Sequence, residues 1–343
     1  MINAPKVAVV ILNWNGKNYL QKFLPSVMAS EYSNLEIIIG DNASTDDSIS
    51  FLQVEYPELK IISNSKNFGF AGGYNEVLKQ VDADYFVLLN SDVEVTANWI
   101  KPVIDLMESD KMIAAAQPKL LAFKDREMFE YAGAAGGYLD KFGYAFCKGR
   151  IFDSMEKDNH QYDESSEIFW ASGAAFFIKS VYWKECNGLD EDFFAHMEEI
   201  DLCWRLKNRG YKIMYCADSK VYHVGGGTLS VESPYKTYLN FRNNLIMMQK
   251  NLPAGKAIGI IFIRFWLDFL SLIRYMSHGN FANAMAVSKA HFHFLGKIFC
   301  NRKKTNQNFA LSNKTGIYKR SIVWQYFALA RKKFTDLNSN DFY

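Results

Sequence analysis

The chain is poor in the residues that staple or metallate small folds. Its 343 residues include five cysteines, with no CxxC pair among them. An odd count suits neither a disulfide framework nor a cysteine zinc site, so a reducing, cytosolic setting is expected. A strand-like run, Val7 to Leu12, begins almost at once and leaves no room for a secretory signal. No repeat or low-complexity tract appears. With 49% apolar residues the chain is too hydrophobic for disorder and can bury a sizeable core. A dinucleotide-type GxGxxG is missing as well. The glycines of the one comparable stretch sit at 69, 72 and 73, after the third strand-like run and not the first.

Charge of one sign is scarce in each part of the chain, although the net charge is only +2. From Lys250 onward there are 15 Lys and Arg against 3 Asp and Glu, and the preceding 249 residues carry a net −10. That asymmetry predicts an acidic catalytic body over 1–250 and a basic tail over 251–343. In the tail, Ala257 to Met276 is apolar but interrupted by Arg264, Asp268 and Arg274. With Ser271 these fall in one sector of roughly 120° on a helical wheel, which suits an interfacial amphipathic helix better than a spanning one. Phe281 to Cys300 and Ile317 to Phe334 repeat the theme, with Arg302-Lys303-Lys304 and Arg331-Lys332-Lys333 at their ends. Peripheral membrane contact is expected of the tail, nucleic acid is not, and packing within a homo-oligomer is the alternative. His291 and His293 are read as solvated or interfacial.

Upstream, apolar runs of strand length alternate with helical spacing. Val7 to Leu12, Leu35 to Ile39, Leu59 to Ile62 and Tyr85 to Leu89 read as buried strands. Leu20 to Met28 and Ala71 to Val81 read as helices, and Ser44 with Asp47 as a helix start. The alternation implies an α/β domain with a mostly parallel, doubly wound sheet, whose ligands bind beyond the carboxyl ends of the strands. Asn13, Asp41, Asn64 and Asp92 fall at such ends. Further on, Gly133 to Gly149 suggests hairpins, and Ile168 to Lys179 a strand. Glu198 to Arg209 suggests a helix closed by Gly210, and Tyr211 to Cys216 and Lys220 to Val224 two last strands.

Several residues have the chemistry of a metal–diphosphate site. In Asn90-Ser91-Asp92, just past an apolar strand, Asp92 offers a carboxylate for a divalent cation and Asn90 an amide oxygen. Asp41 can accept a hydrogen bond from a base or ribose, although a turn or cap suits it equally. Asn67 through Asn75, including Gly73, lets backbone approach a phosphate or base, although close helix–sheet packing explains part of it. Glu198, Glu199 and Asp201 crowd one helix start. Asp201 can pair with Arg205 four residues on, whereas Glu199 points about 100° away from Glu198 and is the freer candidate base. His223, before Gly225-Gly226-Gly227, becomes a credible metal ligand beside such a site.

In this order and spacing, the stretches Val10 to Gly16, Asp41 to Asp46, Asn67 to Asn75, Leu89 to Asp92 and Glu198 to Arg205 resemble a family 2 glycosyltransferase of the GT-A fold. The likeness is nearest to bacterial rhamnosyltransferase-like members and covers about residues 5 to 250. It implies that Asp41 contacts the base, that Asn13 and Asn67 line the nucleoside pocket, and that Asp92 holds Mg2+ or Mn2+ with His223 as a further ligand. The family's catalytic aspartate commonly follows a glutamate ahead of Val-Asp-Leu. Glu199 stands there, one methylene longer, with Glu198 as the fallback, and Asn90 stands where many relatives have aspartate. An inverting transfer from a nucleotide sugar to a glycan or lipid-linked acceptor at the inner face of the cell membrane is the expected activity. A nucleotidyltransferase would need a basic, glycine-rich loop after the first strand, which Asn13-Trp14-Asn15-Gly16 is not. A catalytically silent sugar-nucleotide-binding protein is the remaining rival.

Overall fold

The computed structural model describes residues 4–225, 233–303 and 311–343. Of the stretches singled out above, Gly226 to Thr228 and Lys304 lie outside the described residues. The first half alternates as its apolar runs require: β1 (Val7–Asn13), α1 (Lys17–Met28), β2 (Leu35–Asp41), α2 (Ser48–Glu55), β3 (Lys60–Ser63), α3 (Gly69–Leu78), β4 (Tyr85–Asn90), β5 (Val93–Val95), α4 (Ile100–Glu108) and β6 (Ile113–Ala122). Four short strands follow, β7 (Gly137–Asp140), β8 (Ala145–Cys147), β9 (Arg150–Ile151) and β10 (Ser154–Met155). The chain then runs through β11 (Ser166–Ile168), β12 (Ala175–Lys179), α5 (Ser180–Glu185), α6 (Glu198–Asn208) and β13 (Lys212–His223). After it come α7 (Pro234–Asn251), α8 (Ala254–Ser277), α9 (Phe281–Lys303), β14 (Ile317–Tyr318) and α10 (Ile322–Phe327).

The main sheet has the order β11-β13-β6-β12-β4-β1-β2-β3, with β5 paired to β13. Pairing is parallel across β3-β2-β1-β4 and between β6 and β13, and β12 lies antiparallel between β4 and β6. Successive residues of β1 feed two different cores. Ala8 and Val10 pack with Tyr74 and Val77 of α3. Val7, Val9 and Ile11 pack with Leu20 and Leu24 of α1 and with Ile100 and Val103 of α4. A strand buried on both faces has no use for polar alternation, which is why these strands read as unbroken apolar runs.

The second sheet, β10-β9-β8-β7-β14, takes its last strand from the C-terminal segment. There the expected helix over 317–334 is reduced to the six residues of α10. Tyr318, Phe334 and Phe342 instead cluster with Tyr138 and Phe146, with ring centroids 4.8 Å apart for Tyr138–Phe334 and for Tyr318–Phe342. Three further expectations are revised. Helix α2 starts at Ser48, because the Ser44 hydroxyl is engaged by Asn13 and by the Asn15 amide. The run 168–179 is divided into β11 and β12, and 211–224 is one strand with an irregularity between Cys216 and Lys220. Gly210 does close α6, at φ +90°.

The polar sector of α8 faces inward. Arg264 and Asp268 are 2% and 0% exposed and paired at 3.2 Å. Asp268 also accepts from the Tyr144 hydroxyl at 3.1 Å and lies 3.1 Å from His291 Nε2. His291 and His293 are therefore not solvated residues. The first ties α9 to α8, and the second is hydrogen-bonded to Tyr238 of α7. Among the described residues no helix is long and apolar enough to cross a membrane.

Candidate active site

Register places the first site residues. Asn13 and Asp41 end β1 and β2 as direct neighbours, and both are buried. Asn13 Nδ2 donates to Asp41 Oδ1 at 3.1 Å and to Ser44 Oγ at 3.0 Å. Asn13 Oδ1 is sealed from solvent with no hydrogen-bond partner. Asp41 Oδ2 accepts the Ser44 amide at 3.0 Å. Asn42, which the sequence reading did not single out, organises the next layer. Its Nδ2 donates to Asn67 Oδ1 at 2.9 Å and to the Gly69 carbonyl at 3.0 Å, and its Oδ1 accepts from Asn64 at 3.1 Å. Asn67 is thus held against the end of β2. Gly73 stands behind this layer. A Cβ there would lie 2.8 Å from Leu12 and 3.0 Å from Asn42, so its absence lets α3 pack closely on the sheet.

Asn90, Ser91 and Asp92 lie where β4 leaves the sheet. The three-residue β5 then pairs Val93 with His223, and the Val224 amide donates to the Asp92 carbonyl at 3.1 Å. That pairing carries His223 Nε2 to 3.1 Å from Asp92 Oδ1, across 131 residues of sequence. On the other side of the ring stands Glu130, buried and unanticipated from sequence, with Oε1 3.3 Å from His223 Nδ1. Nδ1 makes no well-aligned hydrogen bond there, so the contact is one of charge. Burial alone would lower the His223 pKa, but the Glu130 and Asp92 carboxylates push it up to about 10. Among the described residues no group of three or more His, Cys, Asp or Glu is arranged to hold a metal. The chain brings together one carboxylate and one imidazole, a donor set that fits a cation whose other ligands are phosphate oxygens and water.

The loop before α6 is strained. Phe194, His196 and Met197 all adopt positive φ, at 63°, 69° and 74°. Bulky residues rarely do so, and such strain persists only where surroundings enforce it. Here Asn243 of α7 lies within 2.9 Å of the Phe193 and Ala195 carbonyls and 2.7 Å of that of His196. The Phe194 carbonyl in turn accepts the Phe70 amide at 2.7 Å, docking the start of α3. His196, a third residue missed from sequence, is pushed down to about 4, by burial first and then by Lys236.

This loop delivers the acidic cluster. Asp201 is fully buried against Arg205 at 2.7 Å, Lys250 at 3.2 Å and Asn251 at 2.8 Å. Despite burial, these partners, Lys250 foremost, hold it below the usual carboxylate range, so it is structural. Glu198 and Glu199 differ. Each has an Oε2 out of solvent with no hydrogen-bond partner. Burial pushes Glu199 up to about 7, while Glu198 is raised well above its usual value by burial and by Glu199. Both carboxyls are thus held above the usual carboxylate range, Glu199 near neutrality. The Glu199 Cβ lies 3.9 Å from where a Cβ on Gly173 would sit, and the neighbouring Ala174 carbonyl accepts the Asn90 amide at 3.0 Å. The carboxylate is in this way brought to the strand end that also carries Asp92. Asn13 Oδ1 and His196 Nε2 are likewise buried without a hydrogen-bond partner. A buried polar atom in that state calls for strain, a catalytic role, or a bound water, ion or ligand to complete it.

A sheet of this order, with a carboxylate–histidine pair and a raised carboxyl at its strand ends, defines a GT-A-type nucleotide-sugar fold. The structure of GalNAc-T7 with UDP, GalNAc and Mn2+ superimposes with a TM-score of 0.56 at 16% identity, over 73% of this chain and 48% of that one. Residues 8–171 match the profile of glycosyl transferase family 2. An uncharacterised glycosyltransferase of Haemophilus influenzae is 31% identical over 131 residues, 37% of this chain and 40% of its own length. The N-acetylglucosaminyl-diphospho-decaprenol L-rhamnosyltransferase of Mycobacterium tuberculosis is 22% identical over 231 residues, 63% of this chain and 75% of that protein. The chain thus matches glycosyl transferase family 2 over just under half of its length and has rhamnosyltransferase-like relatives.

Proposed function

We propose that this glycosyltransferase moves a hexose, rhamnose being the first candidate, from a nucleotide sugar to a hydroxyl of a lipid-linked glycan, with inversion, at the inner face of the cell membrane. The single observation that carries the reading is a raised Glu199, its Oε2 without a hydrogen-bond partner, at the start of α6 beside the strand end that carries the Asp92–His223 pair. Asn13, Asp41 and Asn67 hold the nucleoside. Asp92 and His223, with Asn90 and Ser91 beside them, hold Mg2+ or Mn2+, which supplies neutralisation of the charge that builds on the departing diphosphate. To serve as a ligand, His223 would have to release to solvent the proton that Glu130 and Asp92 hold on it. Glu199 takes the proton of the acceptor hydroxyl as its oxygen bonds to the anomeric carbon. The bond from that carbon to the diphosphate breaks on the opposite face, and the nucleoside diphosphate leaves with the electron pair. One displacement gives one inversion. The L-rhamnosyltransferase relative and its diphospho-decaprenol acceptor support the choice of sugar and acceptor class.

The test is to follow nucleoside diphosphate release from a panel of UDP-, GDP- and dTDP-sugars with MnCl2, MgCl2 or chelator. Asp92→Ala, at the buried turn after β4, removes a carboxylate without enlarging a side chain and should stay folded while losing metal-dependent release. Undiminished release in chelator, or from the variant, would remove the metal assignment.

A further inference from the structure

Helix α8 is inside out for a water-facing helix. Its central charged pair, Arg264 and Asp268, points into the protein, and its exposed side between Lys256 and Arg274 is apolar. Arg264 and Asp268 are locked by Tyr144 and the Phe142 carbonyl of the β7–β8 turn, by Asn244 of α7 and by His291 of α9. The Arg264 guanidinium also lies 3.8 Å over the Tyr144 ring. Turning the helix to hide its apolar face would strip a buried ion pair of its partners. The orientation is therefore fixed. Ile258, Phe262, Trp266, Phe269, Leu270 and Ile273 are left in solvent, with Phe262 66%, Trp266 63% and Leu270 60% exposed. These six fall within roughly 120° of the helix circumference, along about 24 Å of its length. No charged side chain interrupts them between Lys256 and Arg274.

We infer that this face of α8 docks onto an anionic lipid surface. Charge selects that occupant. Residues 251–303 contain one acidic residue, Asp268, which is buried, against seven Lys and Arg. Lys256 and Arg274 stand exposed at the two ends of the apolar stripe, and Lys289 and Lys297 on α9 are exposed as well. A continuous apolar face flanked only by cations, with a tryptophan in it, matches headgroup phosphates around an acyl boundary. The helix lies in the surface and does not cross it. The same helices touch the chemistry. Tyr238, Leu239, Ala286 and Ala290 of α7 and α9 pack against Phe194 and Ala195, in the strained loop that leads to Glu199. The docking inference deepens the reading of a lipid-linked acceptor and rests on it for purpose, although not for its physics.

The experiment uses the full chain and sedimentation with vesicles. Phosphatidylglycerol–phosphatidylethanolamine vesicles are compared with phosphatidylcholine vesicles, at low and high salt. The wild type should sediment with anionic vesicles and less so at high salt. Trp266 emission, isolated as the difference from Trp266→Phe, should shift to the blue. The double substitution Phe262→Ser, Trp266→Ser touches no catalytic residue. It should weaken vesicle affinity by roughly 10-fold or more. Equal binding of wild type and variant would overturn the inference. So would a wild-type dimer, seen by light scattering without lipid, that the variant dissociates, because a second copy would then cover the face. Nucleoside diphosphate release in vesicle-free solution is read in parallel. Its failure with vesicle binding intact refutes the catalytic reading alone, and the reverse result refutes the docking alone.

Discussion

At Glu130 a single buried carboxylate decides how His223 meets Asp92. The ring has one nitrogen facing each acid, and removing one charge frees the other contact. The Glu130 charge is the main influence that keeps a proton on His223. Glu130→Gln should therefore ease the loss of that proton and lower the Mn2+ concentration needed for half-maximal nucleotide binding, measured by calorimetry. An unchanged Mn2+ dependence would make Glu130 a packing residue only. Sequence shows nothing of this role, because Glu130 lies 93 positions from His223 in a loop with no motif of its own. Asn13, Asp41 and Asp92 were legible for the opposite reason. Each follows an unbroken apolar run, and the carboxyl end of a buried strand is where such a sheet meets its ligands. Gly73 shows the limit of motif reading, since its missing Cβ makes room for Leu12 and Asn42.

Among elements, the loop 194–197 and helix α7 behave as one support. The three positive-φ residues are held by Asn243, whose amide reaches three carbonyls of that loop. Loss of hydrogen bonds that leaves buried partners unsatisfied costs about 1–3 kcal/mol. Asn243→Ala should lower the unfolding free energy from denaturant titration by that amount and slow sugar transfer more than it weakens nucleotide binding, because Glu198 and Glu199 follow directly on the loop. A stability loss with transfer unchanged would sever the link between α7 and the base. Elements set by buried apolar runs, β1, β2 and β4, were legible because nothing competes for them. The start of α2 was not, because the Ser44 hydroxyl serves Asn13 and Asn15 in place of a helix cap. The segment 317–334 has helical spacing, yet its aromatics are drawn onto Tyr138 and Phe146, and tertiary packing overrides the local pattern. For α8, periodicity showed two faces but not which one the protein would keep. Partners far apart in sequence, Tyr144, Asn244 and His291, decide that.

Over the whole molecule, the acidic body and basic tail are joined through α7. The buried Asp201 pairs with Arg205 of its own helix and with Lys250 at the last turn of α7, so the helices that carry the apolar face are tied to the helix that carries the base. Chemistry and surface docking share these supports, and the central claim is that the shared structure presents Glu199 as a base to an acceptor hydroxyl. The direct test is the pH dependence of the single-turnover transfer rate, for wild type and Glu199→Gln, with the donor found in the nucleotide-sugar screen. Glu199 is raised to about 7, chiefly by burial, and works only when deprotonated. The wild-type rate should therefore rise with pH through about 7 and level off above it. The amide keeps size and loses basicity, so the variant should bind nucleotide nearly as well, transfer about 10²–10⁴-fold more slowly, and show no such rise. A variant with the wild-type rate and profile, alongside an inactive Glu198→Gln, would contradict the account and move the base to the neighbouring carboxylate.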